Sequence, residues 1–373
     1  MLCLVALVMT VTVLPVFANT DAGVLPQEEW DKFESAIPDD VRDKLADGSD
    51  ENAEGFAEGV KEMSKGSYLV NVILDMVGVE LDGALKLFFC LCALVIISSV
   101  FSALGAESEN TAMLTATRFC SVGAIISVTL CLQYRHFEML EDLLLSLGTM
   151  MNGMVPLTAC LWAMGGNVGT ASVGSASFAL LISFSQSVLS HTLIPVCSVL
   201  TVFGFCDALS DELRMGKMMS AIKKIYNFIL ALVMTVLLSS LAAQTTLAAS
   251  ADGTAARTAR LVSGTVIPVL GGSVGETLRT VAAGVSYLKN VFGIGIIIMI
   301  VLLVLPVLIT ILLTRFAFLM SAGFANMLGC SAESRVLENL GEVYGTMLAV
   351  VSGIGVMFVM ALCVFMQSSV AVA

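Results

Sequence analysis

From Leu143 to Cys206 the chain runs for 64 residues without one Asp, Glu, Lys or Arg; its only ionisable side chains there are His191 and three cysteines. About 20 apolar residues cross a bilayer as a helix, so this stretch holds two long passes or three ordinary ones. The rest of the chain agrees. Hydrophobic residues make up 57% and charged residues 13%, the latter about half of the roughly 25% usual in soluble proteins. Mean hydropathy is +0.94. A globule of this composition could not cover itself with polar side chains, so lipid must solvate most of it. Intrinsic disorder, a disulfide scaffold and nucleic-acid binding are excluded on the same grounds.

The fold class that follows is all-α: a polytopic helical membrane protein of seven to eight transmembrane helices with kinked or broken spans, preceded by a signal sequence and a short acidic helical ectodomain. The expected spans lie near 87–104, 114–132, 143–164, 168–185, 188–206, 225–247, 291–314 and 344–366. Loop 207–224 carries Arg214, Lys217, Lys223 and Lys224 and should face the cytoplasm. Three passes within 143–206 satisfy that rule, with Gly165–Ser177 as a cytoplasmic turn or break. Loop 248–290, with Arg257, Arg260, Arg279 and Lys289, then falls outside and runs against the rule.

Charge separates the N-terminal region from this membrane domain, 87–373. Residues 19–86 hold 17 Asp/Glu and 6 Lys/Arg, while the rest of the chain is close to neutral. Before them, Leu2 to Leu14 is apolar apart from two threonines, and Val16-Phe17-Ala18 has the form of a cleavage site. Residues 1–18 therefore read as a signal peptide or signal anchor, although no Lys or Arg precedes Lys32. The acidic region 19–86 is then extracytoplasmic. Trp30, Phe33 and Ile37, and again Phe56, Val60 and Met63, recur at helical spacing. They read as short amphipathic helices, either a loosely folded surface or a partner-docking element.

The residues that carry chemistry are sparse. The ten cysteines include no C-x-x-C pair, and most sit in apolar runs, where they serve as small apolar residues. Gly271-Gly272-Ser273-Val274-Gly275 matches the form of a nucleophile elbow, but that motif needs a preceding strand and a partnered histidine. The context here is helical, the only histidines are His136 and His191, and Ser273-x-x-Glu276 reads better as a helix cap. No phosphate-binding loop or H-E-x-x-H is present. We therefore expect no catalytic, cofactor-binding or metal-ligating set, and no enzyme activity. His191 stands as an intramembrane titratable base, either a gating or binding residue or a hydrogen-bonded structural one.

The structural candidates are breaks. Pro156, Pro195 and Pro306 each interrupt an apolar run; they are either ordinary kinks or the broken helices of a transport path. Beyond the Asp252-Gly253 turn signal, Pro268, Gly271 and Gly272 precede Val274, Leu278, Val281, Val285 and Leu288 at helical spacing. Element 266–290 is thus amphipathic, lying in the membrane interface or re-entering to line a cavity. Small-residue pairs such as Gly341/Gly345 suit close packing or self-association into a homo-oligomer.

One resemblance is specific. The order of export signal, acidic ectodomain and many spans, then Asp252-Gly253, Ile267-Pro268-Val269, Ser286-Tyr287-Leu288-Lys289-Asn290 and Gly293-Ile294-Gly295, resembles the stage III sporulation protein AE family. The likeness is best over about 245–367 and architectural over 19–244. It marks Pro268, Gly271, Lys289, Asn290 and Gly293 as family-typical and gives none of them a catalytic or ligand role. Gly271-Gly272 departs from the single glycine and bulkier residue usual there.

The resemblance implies a multi-pass subunit of the mother-cell (outer forespore) membrane, its N-terminal region in the intermembrane space. Its place would be the channel-like apparatus joining mother cell and engulfed forespore, in a permease-like or export-gate-like role. The implied partners are the other stage III sporulation A-operon proteins: the cytoplasmic AA ATPase, the small membrane proteins AB to AD, AF, and the ring proteins AG and AH, with stage II Q beyond them. A stand-alone secondary transporter and a scaffold that recruits rings are the two other readings.

Overall fold

The computed structural model describes residues 31, 34–38, 66–107, 111–164, 168–209, 215–266 and 271–367, with the side chains of 255–290 outside that description. The expected signal 1–18, nearly all of 19–65 and Pro268 lie outside the described residues. Every regular element among the described residues is a helix. These are α1 (Gly66–Glu107), α2 (Thr111–Met164), α3 (Val168–Val188), a π-helical turn (Leu189–Leu193), α4 (Ile194–Leu209), α5 (Gly216–Val266), α6 (Gly271–Met327) and α7 (Ser331–Gln367).

Six helical rods are long and apolar enough to cross a membrane: Ile73–Leu104, Thr115–Ala163, Gly169–Leu209, Gly216–Thr254, Val291–Met327 and Ser331–Val364. The segments expected as eight spans fall on these six rods, two pairs of them sharing a rod. Spans 114–132 and 143–164 share α2, since the residues between them, Gln133 to Asp142, contain neither Gly nor Pro and nothing stops the helix. Spans 168–185 and 188–206 follow one another through the π-helical turn. Residues 168–177 of the expected Gly165–Ser177 linker are helical, as are Asp252-Gly253, and Gly271 to Asn290 runs on into the 291–314 span without interruption.

The rods outrun a bilayer. At 1.5 Å per residue the 54 residues of α2 extend about 81 Å, against a hydrocarbon core of about 30 Å. In α2 a polar level, Gln133 to Asp142, stands between two apolar stretches without a loop, and that level organises the functional site.

The core is the α6–α7 hairpin. The apolar window of α6 is 78% buried and that of α5 only 11%, so α6 is central and α5 peripheral. α6 packs on α7, α1 and α2; α7 also packs on α4 and α5; α2 packs on α3. Phe292, Phe318, Tyr344 and Phe358 from the hairpin are fully buried, with Leu91, Ile125, Leu140 and Leu147 from α1 and α2. Ile37 of the acidic region is also buried in this cluster.

The hairpin turn follows from its sequence. Gly329 adopts φ +78°, a left-handed conformation open to glycine at little cost. The Cys330 N–H reaches the Ala325 carbonyl at 3.0 Å and the Gly329 N–H reaches that of Asn326 at 3.1 Å. This crossed pair closes α6 as a Schellman motif. The Cys330 carbonyl then accepts the Ser334 N–H at 3.0 Å, and α7 starts at once.

Candidate functional site

The polar level is built from four helices. On α2, Gln133 meets Thr201 of α4 at 3.1 Å. One turn later His136 Nδ1 lies 2.9 Å from the Tyr344 hydroxyl on α7. Tyr344 is fully buried and its ring tilts against Phe318 of α6, with centroids 5.2 Å apart. On the outer side of α7, Glu342 pairs with Lys223 at the start of α5. Asn339 Nδ2 donates to the Gly204 carbonyl at 3.3 Å and lies 3.4 Å from Asp207. Asp207 accepts the Gly216 N–H at 2.8 Å, which holds the turn from α4 to α5. Buried polar groups inside an apolar bundle persist when each finds such a partner.

A cleft of about 440 Å³ opens beside this level, between α1, α2 and α6. Glu80, Arg135, Glu138, Asp142, Ser146 and Thr310 line its polar side, and Leu302, Leu303, Pro306 and Val307 its apolar side. Pro306 has no N–H to give the Leu302 carbonyl, so α6 offers an acceptor where it borders the cleft. Thr310 Oγ1 donates to the Pro306 carbonyl at 3.0 Å. The cleft is therefore rich in acceptor oxygens and holds one guanidinium. Among the described residues no group of three or more His, Cys, Asp or Glu is placed to bind a metal ion.

A second polar node sits at the hairpin turn. Glu333, buried in the first turn of α7, accepts hydrogen bonds from Ser98 of α1 and Ser121 of α2. Its carboxylate lies near the positive end of the α7 dipole, which favours the charge. Cys330 Sγ, also buried, lies 4.0 Å from the Val95 carbonyl. Burial first, and the Glu333 carboxylate second, push the Cys330 thiol above its ordinary value; Ser99 and Ser98 oppose this through hydrogen bonds. The node ties three helices together.

The residues singled out in the sequence are not brought together. Pro156 is exposed inside α2, where Thr158 Oγ1 donates to the Met154 carbonyl at 3.0 Å. Pro195 is exposed in the first turn of α4. Just before it, the Ile194 N–H bonds the Leu189 carbonyl, the wider spacing of a π turn. Pro195 cannot donate to the His191 carbonyl, and the chain absorbs the missing bond by that slip in register. His191 is exposed and bonds Ser190 at 2.9 Å, apart from the His136–Tyr344 pair. Gly271 and Gly272 open α6, and Lys289 and Asn290 lie along its backbone. Glu333, Tyr344, Arg315 and Gln133 were not singled out. The run of charged and polar residues 133–142, flanked by apolar helix on both sides, points to Gln133; no comparable local run marks the other three.

Comparison with known proteins gives the family. The family described as Stage III sporulation protein AE matches residues 51–369, which extends the likeness well into the acidic region. A curated relative, "Stage III sporulation protein AE" of Bacillus subtilis (strain 168), is 24% identical over 216 residues, covering 58% of this chain and 54% of the relative. The chain thus spans about half the length of the curated relative it matches. No solved structure matches this chain. With the family matched from the acidic region to the end of the last long helix, the chain belongs to the stage III sporulation protein AE family.

Proposed function

We propose that this chain is a non-enzymatic integral membrane subunit of the sporulation complex that links mother cell and forespore, with a permease-like or export-gate-like role needed for late forespore development. The observation that carries the reading is the family match over 51–369. It is supported by a bundle whose six long apolar rods mark a membrane protein. In this reading the outer forespore membrane holds the chain, and its acidic region faces the intermembrane space. The other stage III sporulation A-operon membrane proteins, the ring proteins and the cytoplasmic ATPase are its partners. The polar level and the Pro306 cleft are where a path through or between copies would be lined.

The cleft favours one other reading, a self-sufficient secondary transporter, because a helix carbonyl left without its N–H donor by Pro306, beside acceptor oxygens, is the kind of group such sites use. Flux through the purified chain in liposomes without partners would support that reading. A scaffold is separated from a conduit by Pro156→Ala, Pro195→Ala and Pro268→Ala combined. A conduit keeps co-purification with its partners and loses forespore maturation. A scaffold keeps both, and retention of both would contradict the role proposed here.

A further inference from the structure

The glycine pair Gly341/Gly345 is engaged within the chain. A Cβ at Gly341 would lie 2.9 Å from Leu319 Cδ2, and one at Gly345 would lie 3.0 Å from Arg315 Cζ. Both glycines thus admit side chains of α6 and serve the hairpin. A surface that joins copies of this chain has to lie on the flanks of the bundle.

Two flanks carry exposed charge, and their signs are opposite. α1 packs on α6 and α2, whereas α5 packs on α7, α3 and α4, so α1 and α5 bound the bundle on different sides. On the α1–α2 flank, Asp75, Glu80, Glu138, Glu141 and Asp142 outnumber Arg135, while Asp82 and Lys86 pair with each other. On the α5 flank, Lys217 and Lys224 are both exposed and share one face of the helix. Neither enters an ion pair among the described residues. Lys223 is taken by Glu342, and Arg335 and Glu338 of α7 offset one another in charge.

The two patches stand at one height. Glu80 and Glu138 line the same cleft. His136, beside Glu138 on α2, bonds Tyr344 of α7. Glu342, beside Tyr344, pairs with Lys223, the neighbour of Lys224. Their apolar surroundings match too. α5 runs from Lys223 to Asp252, which caps α3 just past the end of α2, so α2 and α5 point the same way. α1 runs against them, since Glu333 joins Ser98 to Ser121 while Glu80 lies by Glu138. Past the lysines in that direction α5 exposes Ile225, Phe228 and Ile229. Past the acids in the same direction α1 exposes Val79 and Leu74, and α2 exposes Leu145.

We propose that these flanks are the two halves of a head-to-tail contact between copies of this chain, the acidic α1–α2 flank of one copy receiving the α5 lysines of the next. A second copy fits because each copy carries both signs at one height, with apolar side chains on the same side of each. An anionic lipid would answer the lysines and be repelled by the acids. Opposite charges set the register, and apolar contact supplies most of the binding. A contact between two different patches repeats, into a closed ring or an open row. The cleft opens on the acidic flank, so it lies at the seam between copies. The contact rests on the surface of the bundle and not on the family match, so its failure leaves the sporulation role standing.

The test uses the full chain fused to a donor or an acceptor fluorescent protein and reconstituted in phosphatidylcholine vesicles. Energy transfer between copies is followed as the protein is diluted in lipid. The wild type should associate, and less tightly as salt rises. Lys217→Glu with Lys224→Glu, and separately Glu138→Lys with Asp142→Lys, should each weaken association about tenfold, the scale of two exposed pairs turned from attraction to repulsion. A one-to-one mixture of the two reversed chains should restore it, since each supplies the face that the other lacks. A reversed chain whose thermal melt departs from the wild type is replaced by its neutral version, Lys217→Gln with Lys224→Gln or Glu138→Gln with Asp142→Asn. Wild-type copies that fail to associate at any dilution, or association that both reversals leave unchanged, would overturn the contact. Association lost in both reversals and not restored by the mixture would overturn the pairing of the two flanks. A photo-crosslinker at Ile225 that captures another protein in sporulating cells, and never a second copy, would overturn it in favour of a different partner.

Discussion

Glu333 shows how a residue's chemistry depends on distant chain. Its two hydroxyl donors lie 235 and 212 residues away. In the sequence the acid sits in a short polar stretch, Ser331-Ala332-Glu333-Ser334, with nothing local to mark it as buried. Only the packing of α1 and α2 on the hairpin buries it. Replacing it by alanine removes the shared acceptor of the buried Ser98 hydroxyl and the half-buried Ser121 hydroxyl. Glu333→Ala should therefore cost about 2 kcal/mol, measured as a shift in denaturant unfolding of the detergent-solubilised chain. A change within experimental error would mean that Ser98 and Ser121 find other acceptors. The His136–Tyr344 pair was equally hidden, its partners standing 208 residues apart. Histidine and tyrosine at such separation leave no local signal, whereas Pro195 left one that could be read directly.

Among elements, the case of Asp252 separates local from tertiary information. Asp252-Gly253 reads locally as a turn, yet both residues are helical within α5. The Asp252 carboxylate instead accepts the N–H groups of Gly169 at 3.0 Å and Thr170 at 2.8 Å, together with the Thr170 hydroxyl at 2.9 Å. It thus satisfies donors that the start of α3 would otherwise leave open. A side chain from one helix caps another, and no local rule could show it. Asp252→Ala should cost about 1 kcal/mol, the usual worth of an N-terminal cap. Amide exchange should speed up selectively at Gly169 and Thr170, read by hydrogen-exchange mass spectrometry. Unaltered exchange there would remove the capping role. Helix existence itself was legible, because apolar runs without breakers fix it. Helix ends were less so: nothing between Gln133 and Asp142 halts α2, so the charge that separates spans 114–132 and 143–164 in the sequence does not end the helix.

For the whole molecule, composition settled the class, and the family match supports a sporulation role. The all-helical, membrane-adapted bundle follows from apolar runs that only lipid can solvate. The joining of two pairs of expected spans followed from α2 and the π-helical turn, where helix formers continue across polar residues. The candidate site was the least legible part. Its polar level is assembled from α2, α4, α5 and α7 by contacts between residues far apart in sequence, and the flagged residues, Pro156, His191 and Pro195, take no part in the contacts that form it. What connects the bundle to its role is the family match, and the central claim is that this chain serves the junction between mother cell and forespore. The direct measurement is deletion of its gene in the spore-forming host, followed by forespore size and late forespore gene expression after engulfment. The account predicts small, collapsing forespores without late expression, restored by the intact gene. Forespores of normal size with normal late expression would contradict it.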